Sequence, residues 1–337
     1  MTRDTSRFDI APLPGAGFGA VVAFSGGGAA LVGAAEADPG ILPRALDDAG
    51  GLLVVPGMQA ITEAPALLLR LSRLFGPEVE NYHRTLTSRN FVHADVPEIF
   101  IVSNIPPADR APPARPDPPL TEDGALPTRF PHRRGWHTDQ SYRRPPPDIS
   151  LFYAAIATPK GQGQTLYANG IAAYAALSDA MKARLEGLAG LHVMPGTGRA
   201  EYAVRAGETP RPLRPHERPR AQPVVRVHPG TGQRALYLCE AGQMDWIEGP
   251  FVGMTPGPDG DGAALLYDLM AHYTQPQFTY VHDWDPGDLI VYDNRTLIHA
   301  ATWFDADKHQ RLMWRTTVRG VPGAEYAGEK PSWIAAS

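Results

Sequence analysis

What most constrains this chain is where its prolines and glycines fall. There are 35 and 34 of them in 337 residues, gathered in turns and loops between short apolar runs. Short runs bounded in this way read as strands. The stretches LLVV (52–55, stopped by Pro56-Gly57), EIFIVSN (98–104) and ISLFYAAIA (149–157) are of this kind. GQGQTLYANG predicts a turn and then a strand, and PVVRVHPGTGQRALYL predicts a hairpin about Pro229-Gly230-Thr231-Gly232. FTYVHDWDPGDLIVYDN predicts two strands about Pro286-Gly287, and RLMWRTTVRG one more. The stretch GAGFGA has the look of a dinucleotide fingerprint. Pro12 and Pro14 precede it and strand-like AVVAF follows, so it reads instead as a glycine turn before an early strand.

Apolar residues at helical spacing predict a few covering helices. One spans 41–50 and is closed by Gly50-Gly51. A second covers ITEAPALLLRLSRLFG, with Leu67, Leu71, Leu74 and Phe75 recurring. A third covers IAAYAALSDAMKARLEGL, with Leu177, Met181 and Leu185 on one stripe, and a fourth covers GAALLYDLMAHYTQP. Two stretches, about 105–134 and about 195–222, are too rich in proline for either element and predict loops. A loop as long as the first is usually a functional lid or disordered. No segment repeats at a fixed period, and strand–helix alternation fails after residue 220. The expected fold is therefore mainly β with helical insertions, a double-stranded β-helix (jelly roll) forming one domain over 1–337.

The formal net charge of -5 offers no basic surplus for a phosphate backbone, so nucleic acid is not expected as a partner. No apolar run reaches the roughly 18 residues of a membrane span. The N-terminal MTRDTSRFDIAPLPG lacks an apolar core of signal-peptide length. The single cysteine, Cys239, rules out an internal disulfide framework and reads as a small buried residue. A soluble, cytoplasmic protein is the expectation.

The chemistry concentrates in Gly135–Tyr142, GWHTDQSY, which reads as strand. Side chains alternate along a strand, so His137 and Asp139 would face the same way and could share a metal ion. His299, at the end of the apolar stretch GDLIVYDNRTLI, is the third candidate ligand. Two histidines and a carboxylate on one face suit Fe(II) in an oxygenase, and a catalytic zinc is the alternative. Arg311 and Arg315 lie four residues apart in HQRLMWRTT, hence on one strand face and about 13 Å apart. Facing inward, they would need anions such as a metal-chelating dicarboxylate. Facing outward, they would decorate an exposed edge strand.

Taken together, LLVVPGMQAIT…RLFG, EIFIVSN, GWHTDQSY, GQTLYANG, VHPGTGQRALYL and GDLIVYDNRTLIHA…HQRLMWRTTVRG resemble the taurine dioxygenase / 2,4-dichlorophenoxyacetate dioxygenase family over most of the chain. The resemblance implies an oxygenase using Fe(II), 2-oxoglutarate and O2, releasing succinate and CO2 while hydroxylating an unactivated C–H. It implies that His137, Asp139 and His299 hold the iron, and that Thr165 and Arg311 hold the distal carboxylate of 2-oxoglutarate. Arg315 would stand near the co-substrate and the anionic end of the substrate. Two features depart from the family. The spacing from His299 to Arg311 is one residue longer than in the taurine enzyme, and the Pro-rich insertion at 105–134 is long. Relatives often associate, so a homo-oligomer is part of the expectation, although no helix carries a coiled-coil seam.

The expected partner is a small anionic molecule. His83, on the loop after the first amphipathic helix, is a candidate substrate contact by the same resemblance. Arg133, Arg134, Arg143 and Arg144 surround the ligand segment. They read as a solvated rim first, and as an attractor of anions second. Desaturation or ring formation at the same site, and a non-catalytic β-barrel binding protein, are the alternatives.

Overall fold

The computed structural model describes residues 8–332 apart from 116 and 241. The expected domain span and the Pro-rich stretch include residues outside that set, as do the first seven residues of the N-terminal segment. Strands β1 (Phe8–Pro12) and β2 (Ala20–Phe24) pair antiparallel across the predicted glycine turn. Helix α1 (Gly28–Ala37) was not expected. Its Gly/Ala-rich sequence has no polar stripe to betray it, yet Leu31, Val32 and Ala35 are buried. Helix α2 (Ile41–Asp48) stops where Gly50 and Gly51 take φ of 71° and 96°, a conformation that favours glycine.

Strand β3 (Leu52–Val55) is buried at every residue. The single helix expected after it is two, α3 (Ala60–Glu63) and α4 (Ala66–Ser72). Pro65 forces the residue before it, Ala64, out of helical geometry to φ -135°, which breaks the run. Strands β4 (Glu78–Val79), β5 (Phe100–Ser103), β6 (Ile149–Ile156) and β7 (Thr165–Asn169) follow. The next expected helix also divides, into α5 (Gly170–Ala175) and α6 (Asp179–Leu185). The Ser178 hydroxyl accepts the Met181 amide at 3.2 Å and starts the second one.

The loop expected at 195–222 is a partial correction. Beyond β8 (Ala189–His192), it holds α7 (Glu201–Arg205), a 3-10 turn at Pro215–Glu217, and β9 (Arg220–Pro223), which pairs with β8. Strands β10 (Val225–Val227) and β11 (Arg234–Leu236) form the predicted hairpin, and α8 (Asp261–Tyr273) the predicted helix. Strands β12 (Thr279–His282), β13 (Leu289–Asp293), β14 (Leu297–Ala301) and β15 (Leu312–Arg319) complete the chain walk.

The large sheet runs β1-β2-β3-β13-β6-β15-β4, with β5 also on β15, and only β2 and β3 pair in parallel. The small sheet is β12-β7-β14. Strand alternation builds two apolar layers from the same strands. Leu53 and Val55 of β3, with Leu289 and Val291 of β13, pack under α1, α2 and α4. Their neighbours Leu52, Val54, Ile290 and Tyr292 turn to the other side and meet Tyr167 and Leu297 of the small sheet. This second layer, between the sheets, leads directly to the cluster of histidines.

Candidate metal centre and its cavity

GWHTDQSY is not a strand. Only His137 makes a bridge, with its amide donating to the His299 carbonyl at 2.9 Å and the His299 amide returning the bond at 2.7 Å. The chain then turns, with Gln140 at φ 50°. The Thr138 hydroxyl donates to the Asn294 carbonyl at 2.9 Å, and the Asp139 amide donates to Asn294 Oδ1 at 3.2 Å. A bridge followed by a turn, rather than alternation along a strand, brings His137 and Asp139 to the same place. Gly135 and Trp136 anchor the approach through Glu240 and the Thr128 carbonyl.

His137, Asp139 and His299 each offer a ligand atom, and these atoms lie within 4.8 Å of one another. The two imidazole centroids are 4.3 Å apart. His137 Nδ1 lies 2.9 Å from the Gly135 carbonyl, a partner only an N–H can serve, so Nε2 carries the free lone pair. His299 Nε2 lies 3.9 Å from Asp139 Oδ1, and its Nδ1 is buried with no hydrogen-bond partner among the described residues. Burial pushes the pKa of His137 down, and burial together with the neighbouring His137 pushes that of His299 down to about 3. Both rings are therefore neutral at pH 7, the form that binds metals.

Asp139 is held from three sides. Its Oδ2 accepts from Tyr292 OH at 2.6 Å and Ser150 Oγ at 3.0 Å, and its Oδ1 pairs with Arg315. Burial alone would raise its pKa. Arg315, the two imidazoles and the Tyr292 hydroxyl outweigh that and keep it well below the usual carboxylate range. Two neutral imidazoles and one charged carboxylate form a donor set that fits a divalent transition metal and leaves open positions.

A cavity of about 620 Å³ opens onto His137 and His299. Val102, Phe152, Tyr292 and Phe304 give it apolar walls, and residues 110–114, 117–118 and 132–135 cover it. Arg311, Arg315 and Thr165 line it too. The outward, edge-strand reading of the arginines is thus overturned: β15 lies inside the sheet, between β6 and β5. Arg311 is buried without a carboxylate partner among the described residues, and burial pushes its pKa down to about 10. Gly163 makes room beside it, since a Cβ there would stand 3.3 Å from Arg311 Nε and 2.6 Å from Thr158 Oγ1. Thr165 Oγ1 accepts from Trp284 Nε1 at 3.0 Å. Burial works against the charge of Arg315, and Asp139 beside it more than restores it.

His83 stands apart, exposed on the 3-10 turn Tyr82–Arg84 and outside the cavity lining. The solvated-rim reading fails for Arg133, which is buried against Asp117, and for Arg143, which is 11% exposed and paired with the buried Glu80. Arg134 pairs with Glu201 and Glu240, and Arg144 with Glu329. Cys239 is buried as expected, and burial pushes its thiol up to about 12. Sequence reasoning missed Tyr292, Ser150, Asn294, Tyr167 and Arg110. A polar hydroxyl on the inward face of LIVYDN is the signal that could have found Tyr292.

A family model described as taurine catabolism dioxygenase TauD, TfdA family matches residues 9–317. The (S)-phenoxypropionate/alpha-ketoglutarate-dioxygenase of Sphingobium herbicidovorans is 30% identical over 335 residues, which cover 95% of this chain and 98% of that one. Pentalenolactone F synthase of Streptomyces arenae is 28% identical over 331 residues, covering 95% and 99%. Among solved structures, AAD-2 in complex with Mn(II) and N-oxalylglycine superposes with a TM-score of 0.63 at 26% identity, covering 94% of this chain and 98% of that one.

Proposed function

The chain belongs to the TauD/TfdA family of 2-oxoglutarate-dependent dioxygenases, and from that premise we propose that His137, Asp139 and His299 are its iron ligands and the cavity beside them its substrate chamber. The observation that carries this is the convergence of those three side chains within 4.8 Å beside a cavity that also holds a buried arginine with no carboxylate partner among the described residues. In such a site Fe(II) supplies the redox chemistry by which O2 converts 2-oxoglutarate to succinate and CO2 and a substrate C–H to C–OH.

The protein's own groups do the positioning. His137 gives its Nδ1 proton to Gly135 and keeps Nε2 for the metal. Tyr292 and Ser150 fix Asp139 so that Oδ1 turns toward the histidines. Arg311 is a cation in search of an anion, and it receives the far carboxylate of 2-oxoglutarate beside the Thr165 hydroxyl. Arg315 balances the Asp139 charge and stands close to the co-substrate. The covering insertion keeps water from the reacting C–H.

The substrate is a small organic anion with an apolar body. The walls suit it, and phenoxypropionate, in the name of one relative, is such a molecule. Desaturation or ring formation is the second reading, favoured by the likeness to pentalenolactone F synthase. We extend the proposal to a single jelly-roll domain with a lid-like insertion at about 105–134, working in the cytoplasm. In support, no helix among the described residues is long and apolar enough to cross a membrane.

Metal and 2-oxoglutarate binding, followed by calorimetry with Mn(II) in place of iron, tests the assignment. Wild type should bind both, His137→Ala should lose the metal, and Arg311→Gln should keep the metal while weakening 2-oxoglutarate about tenfold or more. Undiminished metal binding by His137→Ala would end the proposal. Product mass, a gained oxygen against two lost hydrogens, separates hydroxylation from desaturation.

A further inference from the structure

Five arginines line the cavity: Arg110, Arg133, Arg134, Arg311 and Arg315. Three of them are already matched by carboxylates. Arg133 meets Asp117, Arg134 meets Glu201 and Glu240, and Arg315 meets Asp139. Arg311 is reserved for 2-oxoglutarate under the reading above. Arg110 has no carboxylate within ion-pair distance among the described residues, and nothing in that reading uses it.

Its position is nevertheless built. The Arg110 amide donates to the Ser103 carbonyl at the end of β5, at 2.7 Å. The turn leading to it is closed by Ala108 and Asp109 amides on the Ile105 carbonyl, at 3.1 and 3.2 Å, with Asp109 at φ 44°. The residue is thus tied to the central sheet although it belongs to the Pro-rich insertion. Its side chain keeps solvent access and faces the cavity. Desolvation by the surrounding walls and the positive Arg315 push its pKa down, and Asp139 and Tyr142 offset this only in part, so an anion placed there would relieve the charge.

We propose that Arg110, a residue of the Pro-rich insertion, receives the carboxylate or sulfonate head group of the prime substrate. A guanidinium fork matches either oxyanion through two parallel N–H bonds. Val102, Phe152 and Phe304 would take the apolar body and leave a C–H near the histidine pair. The proposal rests on the oxygenase reading of the same cavity. It assigns substrate and co-substrate to different segments, with Arg110 on the insertion and Arg311 just before β15.

The test is equilibrium binding to the full chain loaded with Mn(II) and 2-oxoglutarate. The probes are 4-phenylbutyrate, 3-phenylpropane-1-sulfonate and the neutral 4-phenylbutyramide. Wild type should bind at least one of the two acids and should bind the amide at least roughly tenfold more weakly. Arg110→Gln should lose roughly ten- to hundredfold for the acid, Arg110→Lys should lose less, and neither should change 2-oxoglutarate affinity. The stronger acid names the preferred head group. The idea is overturned if neither acid binds, if the amide binds equally well, if Arg110→Gln leaves acid binding intact, or if the loss falls on 2-oxoglutarate instead. Failure of the wild type to bind 2-oxoglutarate with metal is a separate result, which counts against the oxygenase reading itself.

Discussion

Asp139 shows how much a single side chain depends on its neighbours. With Tyr292 and Ser150 on one oxygen, the carboxylate is aimed before any cation arrives. Tyr292→Phe keeps the buried ring, including its contact with the Tyr167 ring at 5.4 Å, and removes only the hydroxyl. Metal affinity should then fall about tenfold, the low end for an outer partner of a ligand, with little change in far-UV circular dichroism. An unchanged Mn(II) isotherm would show that Ser150 and Arg315 orient Asp139 without Tyr292. A second residue, His192, carries a pH signature away from the proposed metal site. It is fully buried against Ser141 Oγ at 2.8 Å, and burial, with Arg226 nearby, pushes its pKa down to about 3. The unfolded chain, with an ordinary imidazole, takes up this proton first. The associated stability is therefore intact above about pH 6.5 and drains away as pH falls toward about 3, at about 1.4 kcal/mol per unit. Urea unfolding of wild type and His192→Asn across pH 4–6 should differ in slope by roughly this amount. Parallel curves would mean that the imidazole is charged in the folded protein.

Among the elements, the Pro-rich insertion is the one whose role is set by tertiary bonds. Asp117 is its strap, pairing with the buried Arg133 and accepting the Trp303 amide at 2.7 Å, while Arg115 lies over the Trp303 ring at 3.3 Å. Asp117→Ala leaves Arg133 without its anion and frees the segment from the loop after His299. Because Asp117 keeps 25% exposure, the loss of stability should be about 2–3 kcal/mol, below that of a fully buried pair. Limited trypsin digestion should cut within 105–134 faster in the variant, and equal rates would remove the strap from the account. No sequence rule could pair Asp117 with Trp303, which lies 186 residues further on. What sequence could supply was local. LLVV and LIVYD read as strands because both of their faces are apolar. Pro65 and Ser178 each carried the signal of a helix break, but a long apolar stripe masked it. GWHTDQSY read as strand because Trp, Thr and Tyr favour strands, and its turn depends on Asn294, far along the chain. The clustered trio of His137, Asp139 and His299 was legible by residue type, whereas the supports of Asp139 were not.

At the scale of the whole molecule, the site is a seam. His299 comes from the small sheet, Tyr292 and Arg315 from the large one, and His137 and Asp139 from the segment that bridges them. A metal held at the proposed site would tie both sheets together, so it should stabilise the fold as a unit. Ligand binding only to the native state adds about 2.7 kcal/mol at a hundredfold excess over Kd. A second histidine–aspartate group, Asp47, His228 and Asp293, also falls within ligand distance and makes a useful control. There Arg295 forks onto Asp293, with Nη2 at 2.7 Å and Nε at 2.9 Å, and His228 Nε2 stands 2.9 Å from the same carboxylate. Asp293 has already spent its charge on an arginine, and the group serves to clasp the β10–β11 turn to the end of β13. Metal titration should therefore give one Mn(II) per chain. The melting temperature should rise with Mn(II) and N-oxalylglycine in wild type and in His228→Ala, the latter starting from a lower value, and should stay flat in His137→Ala. A second ion per chain would show that the clasp binds metal as well, and a flat response in His228→Ala would move metal binding to the clasp and leave the seam without its cation.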